Sequence, residues 1–273
     1  MRRLAAGVVV NGLLVLAAAL AMAPLLWMLS VSFMRPGEAD TFPPPLLPKA
    51  PNLAAYRELF AHHGMGRYFI NSLMLASGAT ILSLAFNVPA GYAFAKLRFA
   101  GRALIFQALL AALVIPGQVA MIPLFLMLKA MGLVNTFAGV LVPSAAGVFG
   151  IFLVRQYALS IPDELLEAAR VDGAGEFRIF VAIVLPILAP IMVTLATFTF
   201  LASWSDFMWP LIVLGDERLY TLPLALASLS REHVQDSELM MAGAVVTVAP
   251  VLALFVVLQR YYIRGLLAGS VKG

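Results

Sequence analysis

The chain has no cysteine and only three histidines in 273 residues. Without a thiol there is no disulfide, iron–sulfur cluster or thiolate metal site. Charge is scarce too: 12% of residues are charged, against about 25% in an average soluble domain. Apolar residues make up 62%, and mean hydropathy is +0.97. A water-soluble globule has no means of covering so much apolar surface with so few charges. The same numbers exclude a disordered or collagen-like chain. A net charge of +4 raises nucleic acid as a partner, but no basic run exceeds Arg2-Arg3. In a bilayer-embedded chain, surplus Lys and Arg instead mark cytoplasmic loops. The reading is therefore a protein of the lipid bilayer, with no nucleic acid as partner.

Further absences narrow the function. His62, His63 and His233 fall between the long apolar stretches, so no imidazole sits at bilayer depth for an intramembrane protease. No carboxylate or cysteine completes a metal set at His62-His63, which reads as a solvated pair. There is no P-loop, H-E-x-x-H or G-x-S-x-G. The central parts of the apolar stretches hold no ionisable residue, which a proton- or ion-driven carrier normally requires. The chain is read as non-catalytic, with no bound cofactor or metal and no energy source of its own.

What is present is a set of charge-free gaps. Arg3–Arg35, Arg67–Lys96, Arg102–Lys129, Lys129–Arg155, Arg178–Asp206 and Glu238–Arg260 enclose 21 to 31 uncharged residues each. A spanning helix needs about 20 apolar residues. The gaps predict an all-α polytopic membrane protein with six transmembrane helices, near 8–30, 69–92, 104–127, 136–156, 180–203 and 239–260. The first competes with a cleaved signal peptide ending near Ala21-Met22-Ala23, but its apolar run extends past a 7–15-residue signal core to Phe33. A retained helix is the reading. With the N-terminus inside, eleven of the eighteen Lys and Arg fall on the cytoplasmic side, so both termini are expected there.

Between the first two spans, six prolines from Pro36 to Pro51 predict an extended connector, followed by a short helix from Asn52, its expected cap, to Phe60. Gly12, Gly78, Gly139 and Gly147 lie inside spans and are expected to allow close helix packing. Trp204 and Trp209 read as interfacial anchors.

The informative stretch is 155–178, on the cytoplasmic side. Ser160 or Ile161 precedes a helix whose first turn holds Pro162, Asp163 and Glu164, suited to a helix N-terminus. Gly173 is its expected left-handed stop, and a second helix restarts near Ala174. The first of these helices is thus placed near 161–172. By i, i+3, i+4 spacing Leu165, Ala168, Ala169 and Asp172 share a face, with Glu164 and Glu167 beside it. An amphipathic linker on lipid would carry Lys and Arg opposite large apolar residues. This helix is acid- and alanine-rich, which favours a docking plug.

Glu167-Ala168-Ala169, three residues, Gly173, nine residues and then Ile183-x-Leu185-Pro186 resembles the EAA motif of ABC importer permeases. Asn71-Ser72-Leu73, Gly91-Tyr92-Ala93-Phe94-Ala95, Ile122-Pro123-Leu124-Phe125, Asn135-Thr136, Arg155-Gln156 and the stretch from Gly265 to Gly273 are similar to the sugar-importer branch. Within it the chain resembles the MalG-type permeases of the maltose-importer-like family. The resemblance implies a type I ABC importer permease fold in a bacterial or archaeal cytoplasmic membrane. It implies a homologous second permease, two cytoplasmic ATPase subunits that use ATP and Mg, and an extracytoplasmic solute-binding protein. Residues 1–66 would form the first helix and outer loop, 67–263 the permease core and 264–273 a cytoplasmic tail. Carried over, Glu164, Leu165, Glu167, Ala168, Ala169, Asp172 and Gly173 form the ATPase-coupling element. Asn71, Trp204 and Asp206 are candidates for the substrate path; Ser205 stands where the family usually has Asn.

The expected cargo is a sugar or oligosaccharide. Glycerol-3-phosphate or another polyol derivative is the alternative within the class. A self-sufficient secondary carrier, or a structural subunit with no path, are the alternatives outside it.

Overall fold

The computed structural model describes residues 2–232 and 236–270, with side chains described over 10–231 and 236–257. His233, Val271, Lys272 and Gly273 lie outside the described residues. The described residues form thirteen α-helices and no strand. They fall into two compact units, residues 1–69 with 222–253 and residues 70–221 with 254–273.

In the first unit, α1 (Arg2–Val31) runs through Pro24 without interruption. No residue of its best spanning window is buried, as expected of a helix facing lipid. The connector that follows is irregular and tied down locally. The Glu38 carboxylate accepts from the Arg35 and Lys49 amides at 3.0 and 2.7 Å, and Ser30 Oγ donates to Leu46 O at 2.6 Å. These two amides, then the charges of Lys49 and Arg35, hold the Glu38 carboxyl below the usual carboxylate range. Helix α2 (Ala54–Ala61) begins two residues later than expected. Asn52 Oδ1 accepts from Ala54 N at 2.8 Å, so its side chain does the capping while Leu53 takes the cap position. Near the end of this helix a carboxylate does stand beside the histidine pair: Glu58 lies 3.9 Å from His62 and 3.8 Å from His63. Among the described residues, no three potential ligands gather as a metal site needs.

In the second unit, α3 (Met65–Lys96) enters at residue 70 and supplies one wall of the core. The span expected over 104–127 is two helices, α4 (Arg102–Ala112) and α5 (Gly117–Ala130), bent by 103°. Pro116 has no N–H to donate, and its ring disfavours helical geometry at Ile115. Charge spacing carries no trace of such a break. Among the described residues, five helical stretches are long and apolar enough to cross a membrane, and six if the bent pair is one span.

The fourth span is also assembled from pieces: α6 (Phe137–Leu141), a 3₁₀ turn at Val142–Ser144, and α7 (Val148–Ala158). Asn135 and Thr136 start it. Asn135 N donates to Val213 O at 2.8 Å, Asn135 Oδ1 accepts from Gly215 and Asp216, and Thr136 Oγ1 caps Gly139 N. Helix α8 (Asp163–Val171) and α9 (Glu176–Ile179) follow. A π-helical segment at Phe180–Val184 then leads into α10 (Leu185–Trp204). The widened turn lies where the ring of Pro186 would otherwise press on the Ala182 carbonyl. Helix α11 (Met208–Val213) completes the unit's run before α12 (Leu222–Glu232) and α13 (Ser237–Ser270). That last helix continues past residue 263, where the sequence places the start of a tail.

Glycines permit the closest approaches, at Gly139 and Gly78 as expected and also at Gly91 and Gly150, which were not singled out. A Cβ on Gly91 would stand 2.6 Å from Val154 Cβ, and one on Gly150 would stand 2.5 Å from Asn87 Nδ2. Gly139 lies against Leu133 O, and Gly78 against Leu141. Gly12 and Gly147 have no such neighbour: nothing lies within 4 Å of a Cβ on Gly12, and only Asn87 Nδ2 reaches 4.0 Å at Gly147. Gly91→Ala should therefore lower the thermal midpoint of the detergent-solubilised chain, since overpacking costs about 1–3 kcal/mol. Gly12→Ala should not lower it. Equal midpoints for the two variants would refute this packing account.

Candidate functional site: helix α8 and a cavity beside Asp206

Helix α8 is nine residues long, too short to persist alone in water. Its position comes from its surroundings. Pro162 occupies the cap position instead of the first turn, so the helix begins later than expected, with Asp163 and Glu164 in its first turn. At the other end Gly173 is left-handed, φ +82°. Gly173 N donates to Arg170 O and Ala174 N to Ala169 O, both at 3.0 Å, the paired bonds of a Schellman stop. Gly175 then caps α9, so the restart falls at Glu176.

One face of α8 is anchored. Leu166 is 1% exposed, within a core that includes Tyr92, Val154, Ala158, Ile161, Ile179 and Leu188. Ala169 is half-buried against that same core. This revises the face read from spacing: Ala169 points toward the chain's own interior. Glu164, Leu165, Glu167, Ala168 and Asp172 are exposed. Val171, 87% exposed, joins them and was not anticipated.

Both ends of α8 are pinned to the last two turns of α3. Lys96 Nζ, on a side chain only 6% exposed, donates to Ile161 O and Asp163 Oδ1, each at 2.6 Å. One turn earlier, Tyr92 Oη donates to Glu176 Oε2 at 3.4 Å. Glu176 also accepts from Arg170 Nε at 2.6 Å across the Gly173 bend. Arg155 Nε donates to Phe94 O, with its guanidinium 4.1 Å over the Phe106 ring. Sequence reading used Lys96 and Arg155 as boundaries of charge-free gaps, Arg155 also in the resemblance, and gave neither Arg170 nor Glu176 a contact. A lone Lys closing an apolar span beside a docking loop was the available signal for a pin. The Lys96 hydrogen bond, then its charge, holds the Asp163 carboxyl below the usual range. The Glu176 bond raises Arg170.

The three candidates for the substrate path are not together. Asn71 is buried, and its Nδ2 donates to Arg218 O and Tyr220 O at 2.9 Å, which holds a loop. Trp204 is 1% exposed and stacks on Phe200 at 5.8 Å. Trp209 is buried, donating to Gly139 O at 3.2 Å. Neither tryptophan is an interfacial anchor, because neither ring is offered to the membrane–water boundary. Asp206 does line a cavity of about 320 Å³, with Ser144, Thr199, Ser203 and Trp209 on its wall. Burial raises the Asp206 carboxyl, opposed by hydrogen bonds from the Trp209 and Met208 amides.

The ion pair at Lys96 has a definite pH signature. A depressed carboxyl contributes stability above the ordinary aspartate range and loses it as pH falls through its own lower value. Hydrogen exchange over 163–167, corrected for intrinsic rate, should therefore stay flat from pH 7 down to the ordinary aspartate range, rise as pH falls from there toward the lower value, and level off below it. In Lys96→Met it should be raised throughout. Unchanged protection in Lys96→Met would remove the pin from this account.

Residues 87–267 match the family described as the binding-protein-dependent transport system inner membrane component. The chain is 38% identical over 261 residues to the arabinooligosaccharides transport system permease protein AraQ of Halalkalibacterium halodurans, covering 93% of this chain and 92% of that one. It is 34% identical to the diacetylchitobiose uptake system permease protein NgcG of Streptomyces coelicolor, over 99% and 88% of the two chains. It is 32% identical to the lactose transport system permease protein LacG of Rhizobium radiobacter, over 100% and 98%. In fold it is similar to a chain of a bacterial ABC transporter involved in the import of the acidic polysaccharide alginate, at TM-score 0.85 and 24% identity, over 94% of this chain and 96% of that one. Membership accounts for a chain with apolar spans and no catalytic motif: it belongs to the binding-protein-dependent transport system inner membrane component family and is a multi-pass, non-catalytic permease subunit of an ABC importer.

Proposed function

We propose that this permease imports a sugar or oligosaccharide and that α8 is the element through which ATPase subunits drive it. The cargo class is supported by the relatives, whose names specify arabinooligosaccharides, diacetylchitobiose, lactose, alpha-glucosides and melibiose, raffinose or stachyose. Family membership leaves no ground for the secondary-carrier and structural-subunit alternatives. The observation that carries the coupling role is the geometry of α8. A short helix is buried on one side, clamped at both ends and free on the side that bears Glu164, Glu167, Ala168, Val171 and Asp172.

Ala168 supports close approach of a partner backbone. Glu164 and Glu167 offer acceptors to it, and Leu165 with Val171 an apolar contact. Gly173 sets the angle at which the helix is presented. A push on α8 reaches α3 through Lys96 and Tyr92, because both sit in its last two turns. The assembly would comprise this chain, a second permease, two ATPase subunits using ATP and Mg, and an extracytoplasmic binding protein. Energy enters only as the difference in partner affinity between the inward- and outward-open states. Both termini would be cytoplasmic.

Reporter fusions after Ala50, Ala100, Ala174 and Arg231 should read out, in, in and out. An Ala174 fusion reading out would overturn both the orientation and the coupling role. Gly173→Val places a β-branched residue at a left-handed position, at a cost on the order of 1–2 kcal/mol. It should abolish uptake and reduce co-purification of the ATPase. Ala168→Trp should do the same by bulk on the free face, while the chain still inserts and pairs with the second permease. Ala169→Trp acts differently, because it would also disturb the chain's own core. Wild-type uptake and ATPase recovery in both Gly173→Val and Ala168→Trp would exclude α8 as the coupling element.

A further inference from the structure

The cavity beside Asp206 carries an electrostatic character that the coupling helix does not explain. Its described lining is apolar apart from three hydroxyls, on Ser144, Thr199 and Ser203, and one charge, on Asp206. No Lys, Arg or His is on the described wall. The Asp206 carboxylate accepts from Trp209 N at 3.3 Å. A neutral amide pair orients this carboxylate without cancelling its net charge, and a low-dielectric wall lets the field reach across the space. Thr199 Oγ1 is 3.2 Å from Ser83 Oγ, and Ser83 Oγ accepts from Asn87 Nδ2 at 2.8 Å, so the polar side of the wall continues into α3.

We infer that Asp206 makes this cavity an anion-excluding part of the transport path, so that the cargo is a neutral or basic carbohydrate and not one bearing a carboxylate or phosphate. Hydroxyls of a neutral sugar find acceptors in Asp206 and partners in Ser144, Thr199 and Ser203. An amine would gain from the carboxylate. A uronate or a sugar phosphate would meet a like charge with no cation on the described wall to offset it. This rests on the permease reading, and it separates neutral sugars from the phosphorylated polyol that the sequence alone left open.

The chain has no native cysteine, so Ser203→Cys creates a single thiol on the cavity wall. The test is made on the full chain in membranes, co-expressed with its partner permease and ATPases. Two thiosulfonate reagents of similar size are compared, one carrying a trimethylammonium group and one a sulfonate, each normalised to its rate with free mercaptoethanol. A unit charge about 6 Å away in a water-filled cavity should favour the cation by about tenfold. Adding Asp206→Asn should bring the normalised ratio to about one. Thr199→Cys serves as a second reporter if Ser203→Cys fails to insert.

A ratio near one with Asp206 present, a ratio that Asp206→Asn leaves unchanged, or no reaction with either reagent at either site would overturn the inference. So would a carboxylate or phosphate in the carbohydrate that mass spectrometry finds on the assembly's own binding protein. These measurements do not depend on α8. Their failure would leave the coupling role standing, and failure of the Gly173 and Ala168 variants would leave the charge of the cavity standing.

Discussion

The ammonium of Lys96 is the contact on which the placement of α8 depends. It sits at the end of a membrane-spanning helix with a side chain almost out of solvent, and it bonds the carbonyl before α8 and the first carboxylate within it. A cation withdrawn from water needs such partners to offset lost hydration. The partners it finds fix where the helix begins. Tyr92, on the same face one turn away, holds the far end through Glu176. A nine-residue helix gains little from its own hydrogen bonds, so this clamp and the burial of Leu166 give α8 its place.

The transmembrane part is governed by a different constraint. In lipid every backbone polar group must be satisfied inside the protein. The interruption in the fourth span is accordingly met by a side chain. Asn87, fully buried, accepts from Gly147 N where the fourth span resumes, and donates to Ser83. Ser83 in turn contacts Thr199 on the cavity wall. The helix that carries Tyr92 and Lys96 thus also reaches the cavity. Glycines at 91 and 150 bring α3 and α7 close enough for these short side chains to meet.

Part of the site was legible in single residues. Gly173 as the bend, the acids of the first turn and the exposure of Glu164, Leu165, Glu167, Ala168 and Asp172 followed from helix chemistry acting within a few residues. Ala169 was not separable from Ala168, because two adjacent alanines differ only in what each faces. Of Asn71, Trp204 and Asp206, local sequence could not say which borders open space. Asn71 is used up on the 218 and 220 carbonyls and Trp204 on Phe200.

By itself the sequence determined that the chain lives in a bilayer, roughly where it crosses, and that a capped acidic helix interrupts the crossings. Those features depend on hydration cost and local backbone preference, which act residue by residue along the chain. Only the tertiary structure decided that Pro116 breaks its span while Pro24, Pro89, Pro123, Pro190 and Pro250 stay inside helices. It alone decided that Lys96 turns inward and that Asp206 borders a cavity. A proline's ring removes the same bond everywhere, and a Lys or Asp carries the same charge everywhere. What differs is the set of groups that distant parts of the chain bring within reach, and that set is fixed only when the helices pack.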